Sequence, residues 1–397
     1  MSKKRWVYLI VGTIAMLFAG VIYAWSVLKT PLSADFGWSA SQLTLNFTLT
    51  MAFFCIGGIA GSIIARKIGV AISLIISGIL GGGGFVLSSM LSGSSIVLLY
   101  LAYGLMSGLG IGIAYNVLLS TLNRWFPDKK GLCSGLLMMG FGASTLIIGN
   151  VSNSLFGKVG WRSTYLILGI AIGVVLIIAG IIIRAPKEGE VIQPEVTGAA
   201  SVSKDFNPGQ MIKTANFWKV FLLFTFISAL GNTMASMAKD FALFGGAADS
   251  LATTMVGIFA VCNGIIRVIM GVLYDSWGRK KTMICSNILG IVAVAACILT
   301  AITGSLPLAI ISICLCGLTY GSCPTGGAVC TRIFFGDKYY SSNLGVMTCN
   351  LLLASFMATL CSMINESTGG YLVSFIVLAV LVLVAFVINL SLKDDND

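Results

Sequence analysis

The 397-residue chain has no histidine, and only 10% of its residues are charged. Without histidine there is no Ser-His or Cys-His nucleophile pair, no His-containing zinc site and no imidazole general base. An ordinary soluble domain carries about 25% charged residues, so the polar surface of a water-facing globule is missing as well. Acids are scarcest, 14 Asp and Glu against 24 Lys and Arg, and none lies in the body of a long apolar run. The 11 cysteines form no C-x-x-C, and Cys314 and Cys316 stand too close for a zinc knuckle. They read as small hydrophobes in packed helices, so no disulfide scaffold, metal or cofactor is expected. A membrane-embedded enzyme finds no acid pair, histidine or ligand cluster to work with.

What the chain does have is apolar length. Hydrophobic residues make up 57% of it, and twelve membrane helices of ~20 residues would use ~240 positions. Charge-free runs near 6–28, 40–65, 70–91, 96–123, 131–155, 163–184, 217–238, 252–274, 283–303, 307–331, 343–364 and 370–392 are each long enough to cross a bilayer. They are continuous rather than alternating, which excludes barrel strands. The first run exceeds the apolar core of a secretory signal and is expected to be a retained helix. The expected class is therefore an all-α integral membrane protein.

The net charge of +10 would suggest nucleic acid in a soluble protein; here location explains its sign. Nineteen of the 24 basic residues fall on the side of the N-terminus, among them Lys4, Arg66, Arg124, Lys213, Lys280 and Lys338. Lys29, Lys158, Arg162 and Lys239 fall on the other, Lys29 as an interfacial charge. The asymmetry predicts both termini in the cytoplasm and a cytoplasmic-membrane location. Residues 186–215, with Pro186, Pro194 and Pro208, read as a cytoplasmic linker between six-helix bundles at 1–185 and 216–397.

The bundles look duplicated. Arg66 and Asp275 follow the second helix of each half at an offset of 209, and Arg124 and Arg332 follow the fourth at 208. Such repeats build alternating-access carriers that hold substrate near the membrane midplane.

The segment Gly271-Val-Leu-Tyr-Asp275-Ser-Trp-Gly278-Arg279-Lys280 resembles the conformational gating motif of the major facilitator superfamily. Arg66 replaces the acid in the first-half copy. Within that superfamily the chain resembles the oxalate/formate antiporter family, a relative of the monocarboxylate porters. The resemblance rests on YAWSVLKTPL (23–32), GLGIGIAYNVLLSTLNRWFPDKKGLCSGLLMMGFG (108–142), MIKTANFW (211–218), NGIIR (263–267) and FFGDKYYSSNLG (334–345). It implies the major facilitator fold, with helices 3, 6, 9 and 12 outermost, and transport of a small carboxylate.

Arg267 carries the chemistry. An arginine within an apolar run costs roughly 2.5–3.5 kcal/mol on insertion scales, and no acid in the runs can pair with it. A carboxylate at about 4 Å gains ~4 kcal/mol at an effective dielectric of 20, so an anionic substrate suits the guanidinium fork. An arginine that satisfies backbone carbonyls or snorkels to the membrane surface remains the alternative. The resemblance supports the substrate role. Proton-coupled relatives place an aspartate four residues earlier, where this chain has Asn263, which points to exchange or substrate-driven transport. Oxalate-carrying members have a lysine in helix 11, but no basic residue lies between Lys338 and Lys393. Thr348, Asn350 and Ser355 stand there instead, and a monoanion such as formate, lactate or pyruvate is expected.

Tyr23, Asn46, Tyr115, Asn116, Asn263, Tyr320 and Asn350 are the polar and aromatic residues expected to line the site with Arg267; Asn232 is a further polar residue, in the seventh run. Gly108, Gly110 and Gly112, and Gly81 to Gly84, read as close helix packing rather than a nucleotide loop. A monomeric carrier is expected, with a proton or counter-anion as possible co-substrate and no nucleic acid. An exporter of neutral or hydrophobic compounds, or a non-transporting sensor on a carrier fold, stay open as alternatives.

Overall fold

A computed structural model describes residues 4–92, 95–127, 130–187, 190, 205–336 and 338–392, without the side chains of residues 130–132, 275 and 341. Lys3, Asp128, Lys129, Lys204, Asp337, Lys393, most of the linker and the Asp275 side chain lie outside the described residues. All regular structure among them is helical. The chain divides into two compact units, Met1–Val196 and Thr197–Asp397.

Among the described residues, eleven helical runs are long and apolar enough to cross a membrane. In unit 1 they are span 1 (Lys4–Phe36), span 2 (Ala40–Ile68), span 3 (Val70–Ser89), span 4 (Val97–Trp125) and a 50-residue run, Cys133–Ile182. That run breaks at Gly160, whose φ of 78° is non-helical, into span 5 (133–159) and span 6 (161–182). Unit 2 holds span 7 (Ala215–Phe244), span 8 (Asp249–Tyr274), span 9 (Ser276–Thr303), span 10 (Leu306–Phe335), span 11 (Ser342–Thr368) and span 12 (Leu372–Leu390). With the break counted, the spans number twelve.

Left-handed glycines set these boundaries, because a residue with a Cβ is strained at positive φ. Three pairs, Gly37 and Gly246, Gly69 and Gly278, and Gly160 and Gly369, all have positive φ and are each separated by 209 residues. Helix contacts repeat in the same register. A Cβ on Gly108 or Gly112 of span 4 would lie 2.7 Å from Thr50 O or 2.1 Å from Phe54 O of span 2. On Gly317 and Gly321 of span 10 it would lie 2.5 Å from Phe259 O and 2.1 Å from Asn263 O of span 8. Both glycine pairs, and the carbonyls they meet, are related by 209. The duplication thus reaches the backbone contacts of spans 2 with 4 and 8 with 10.

The glycines of span 4 are packing surfaces, as expected: Gly110 admits the Gly81 backbone of span 3, 2.2 Å from a built Cβ. Ser77 donates to Gly110 O at 2.8 Å and Ser107 to Gly81 O at 3.1 Å, the small-residue and hydroxyl contacts by which helices associate in lipid. The outward faces stay apolar, with Ile181, Ile302 and Val387 all more than 60% exposed. Span 7 lies deepest, with 89% of its apolar window buried against 33% for span 12.

Two expected boundaries are corrected. In sequence, charge marks a span end and puts Lys29 and Lys239 at the helix margins. The helices run on through both, to Phe36 and Phe244, and the two lysines are only 5% and 1% exposed. Arg5 is buried as well, its guanidinium 4.7 Å from the Phe126 ring centroid.

Candidate functional site

Span 8 places Arg267 one helical turn beyond Asn263, the spacing at which side chains on one face meet. Its Nε and Nη2 both donate to Asn263 Oδ1, at 3.1 and 2.7 Å. Among the described residues no other side chain hydrogen-bonds the guanidinium and no carboxylate forms an ion pair with it. Asn263 is a neutral amide, so it orients the fork and leaves its positive charge uncompensated. A guanidinium has five N–H groups; three remain for another acceptor.

Span 10 packs against this turn. Gly321 brings its backbone against Asn263 O, and Thr325 Oγ1 donates to Arg267 O at 3.4 Å. Tyr320 is buried, its ring stacked at 6.2 Å from that of Phe259. On the other side it rests on Gly231 of span 7, where a Cβ would come within 2.3 Å of the ring. Its hydroxyl donates to Asn232 Oδ1 at 3.0 Å, so its proton is committed within the protein. Asn232 is fully buried, and its Nδ2 has no hydrogen-bond partner among the described residues. In sequence Asn232 shows only as an asparagine in the middle of an apolar run, among the polar residues of the cavity helices; its partner Tyr320 comes from the structure.

Asn350 is 7% exposed and begins the second segment of span 11, after a break at Cys349; no hydrogen bond ties it to Arg267. Tyr23, Asn46, Tyr115 and Asn116 belong to unit 1. Tyr23 sits in a short 3₁₀ stretch, Gly20–Ala24. Tyr23 and Tyr115 meet the ring of Phe141 edge-on at 5.5 and 5.0 Å. Asn116 Oδ1 accepts from Ser62 Oγ at 2.8 Å. Asn46 is fully buried, with neither side-chain amide atom hydrogen-bonded among the described residues. The repeat register pairs Arg267 with Gly58 and Thr325 with Asn116, so unit 1 has no arginine at the equivalent place.

In the gating motif, Gly278 has φ of 75°, a non-helical break just inside the start of span 9, which accounts for a glycine there. Arg279 is buried, 5.2 Å from the Phe334 ring centroid, and donates to Leu392 O at 3.3 Å beyond span 12. Lys280 is exposed and Gly271 faces open space.

The profile of the Major Facilitator Superfamily matches residues 8–244 and 217–396. The oxalate:formate antiporter of Oxalobacter formigenes is 28% identical over 386 residues, 96% of this chain and 90% of that protein. Human monocarboxylate transporter 12 is 24% identical over 80% of this chain and 66% of its own. Among solved structures, the D-xylose-proton symporter superposes with a TM-score of 0.76 at 16% identity, covering 96% of each chain. A bacterial homologue of the human lysosomal transporter Spinster, inward-facing and unoccupied, gives 0.75 at 15% identity over 98% of this chain and 97% of its own. With twelve spans in two repeats of shared register and a profile match across nearly its whole length, the chain belongs to the major facilitator superfamily of membrane transporters.

Proposed function

We propose that this transporter carries a small organic monoanion, such as formate, lactate or pyruvate, across the cytoplasmic membrane by alternating access, in exchange or in symport. The observation that carries the reading is Arg267: a cation within span 8, hydrogen-bonded by its side chain only to the neutral Asn263 among the described residues. A carboxylate offers two acceptor oxygens to the free edge of the fork, and charge-assisted bonds of this kind are roughly twice as strong as neutral ones. The carboxylate specificities named for the antiporter and the monocarboxylate transporter support the same class. A single guanidinium, with no basic residue in span 11, favours a monoanion over oxalate. The distribution of Lys and Arg favours cytoplasmic termini. A monomer suffices for this reading.

Counterflow in proteoliposomes with radiolabelled formate, lactate, pyruvate and oxalate, with and without a pH gradient, tests it. At least one monocarboxylate is expected to exchange faster than oxalate. Exchange of uncharged compounds with none of the four acids would overturn the reading in favour of a neutral-compound exporter.

A further inference from the structure

Span 7 carries a line of polar residues on one face: Ser228, Asn232, Ser236 and Lys239, at intervals of four, four and three. All four are at most 1% exposed. Burying polar groups in a membrane helix is costly unless they are paired, yet Asn232 Nδ2 has no hydrogen-bond partner among the described residues. The line ends at Lys239, whose Nζ lies 2.7 Å from Asp249 Oδ1, on the first residue of span 8.

This ion pair is lopsided. The lysine side chain is 2% exposed and the aspartate side chain 60%. The ammonium is held among packed helices, whereas the carboxylate stands at a helix start and reaches water by rotating its own side chain. At the Lys239 ammonium a carboxylate from solution can take the place of the Asp249 carboxylate, one anion replacing another, while Asp249 gains hydration. Lys239 lies seven residues from Asn232, about 10 Å along the helix, and Asn232 accepts from Tyr320, which packs beside the Arg267 turn.

We infer that Lys239 is a second anion station of unit 2, where an incoming small carboxylate exchanges against Asp249 before it reaches Arg267. The inference rests on the anion-carrier reading above. Asp249 acts there as a displaceable internal competitor, and the polar line of span 7 begins at this station.

Zero-trans uptake of the four labelled acids, measured in vesicles of each single orientation, tests it. Asp249→Asn removes the competitor, so KM falls about fivefold, the scale of a partly exposed ion pair, and only from the face carrying residues 245–248. Lys239→Gln raises KM from that same face. Added carboxylate restores the thermal stability that Asp249→Asn loses, and fails to do so in the Lys239→Gln/Asp249→Asn double variant. If Lys239→Gln does not fold, Asp249→Asn alone decides, because its side chain is exposed. Unchanged KM from both faces, with lower stability only, makes the pair a structural lock and overturns the inference. If transport is Arg267-dependent but Asp249→Asn is silent, this station alone fails; if wild type moves no carboxylate, both readings fail.

Discussion

Asn263→Asp places an acid against a guanidinium with almost no change of shape. The two N–H contacts to Asn263 Oδ1, 3.1 and 2.7 Å, would become contacts to a carboxylate. At about 4 Å between charge centres and an effective dielectric of 20 the pair gains ~4 kcal/mol. Arg267 is only partly buried, and screening brings this to about 2 kcal/mol, roughly thirtyfold in apparent affinity. The built-in acid competes with substrate for one cation, so KM should rise about thirtyfold at neutral pH. Acidification should relieve the loss, because protonating the new carboxyl frees the fork. Counterflow KM in proteoliposomes between pH 5 and 8 is the assay, with Asn263→Ala as the control that removes the amide without adding charge. Equal effects of Asp and Ala, or a KM insensitive to the new acid at every pH, would refute the reasoning.

Other consequences follow from packing and charge. Tyr320→Phe removes the proton donated to Asn232 Oδ1 and should cost about 0.6–1.7 kcal/mol, the range for hydrogen bonds between membrane helices; thermal unfolding in detergent reads it. Gly112→Ala drives a Cβ to 2.1 Å from Phe54 O, and overpacking against backbone should cost at least about 1–3 kcal/mol. Gly271→Ala meets nothing within 4 Å and should be neutral or gain up to ~1 kcal/mol of helix propensity in the same assay. Outside the spans, hydrogen bonding from Arg184 and then from the Lys187 backbone holds the Glu190 carboxyl down at about 2. A lowered carboxyl stabilises the fold above its ordinary range, and that contribution is lost as pH falls toward 2. The infrared carboxylate difference between wild type and Glu190→Gln should therefore titrate near pH 2, with transport unchanged at neutral pH.

Much of the fold was legible because lipid imposes a simple rule: a spanning helix must be long and apolar. All twelve runs appear as spans, and the repeat offset read from charged loops recurs in the left-handed glycines. Charge misled at Arg5, Lys29 and Lys239, which sequence places at the helix margins. Both helices continue past a buried lysine, and at Lys239 the Asp249 carboxylate offsets the cost of burying the charge. The site was legible where a residue violates its surroundings, as Arg267 does. It was less legible where a residue acts through a partner. Nothing in sequence spacing joins Asn232 to Tyr320, 88 positions away, or commits the tyrosine proton to that amide. Asn350 shares composition with the site, but among the described residues no hydrogen bond brings it to Arg267.

The most direct test is carboxylate binding to purified wild type and Arg267→Gln of matched thermal stability. Wild type should bind a small monocarboxylate about a hundredfold more tightly than the variant, the worth of one or two charge-assisted hydrogen bonds. Equal affinity in the two proteins would contradict the assignment of Arg267 as the anion anchor.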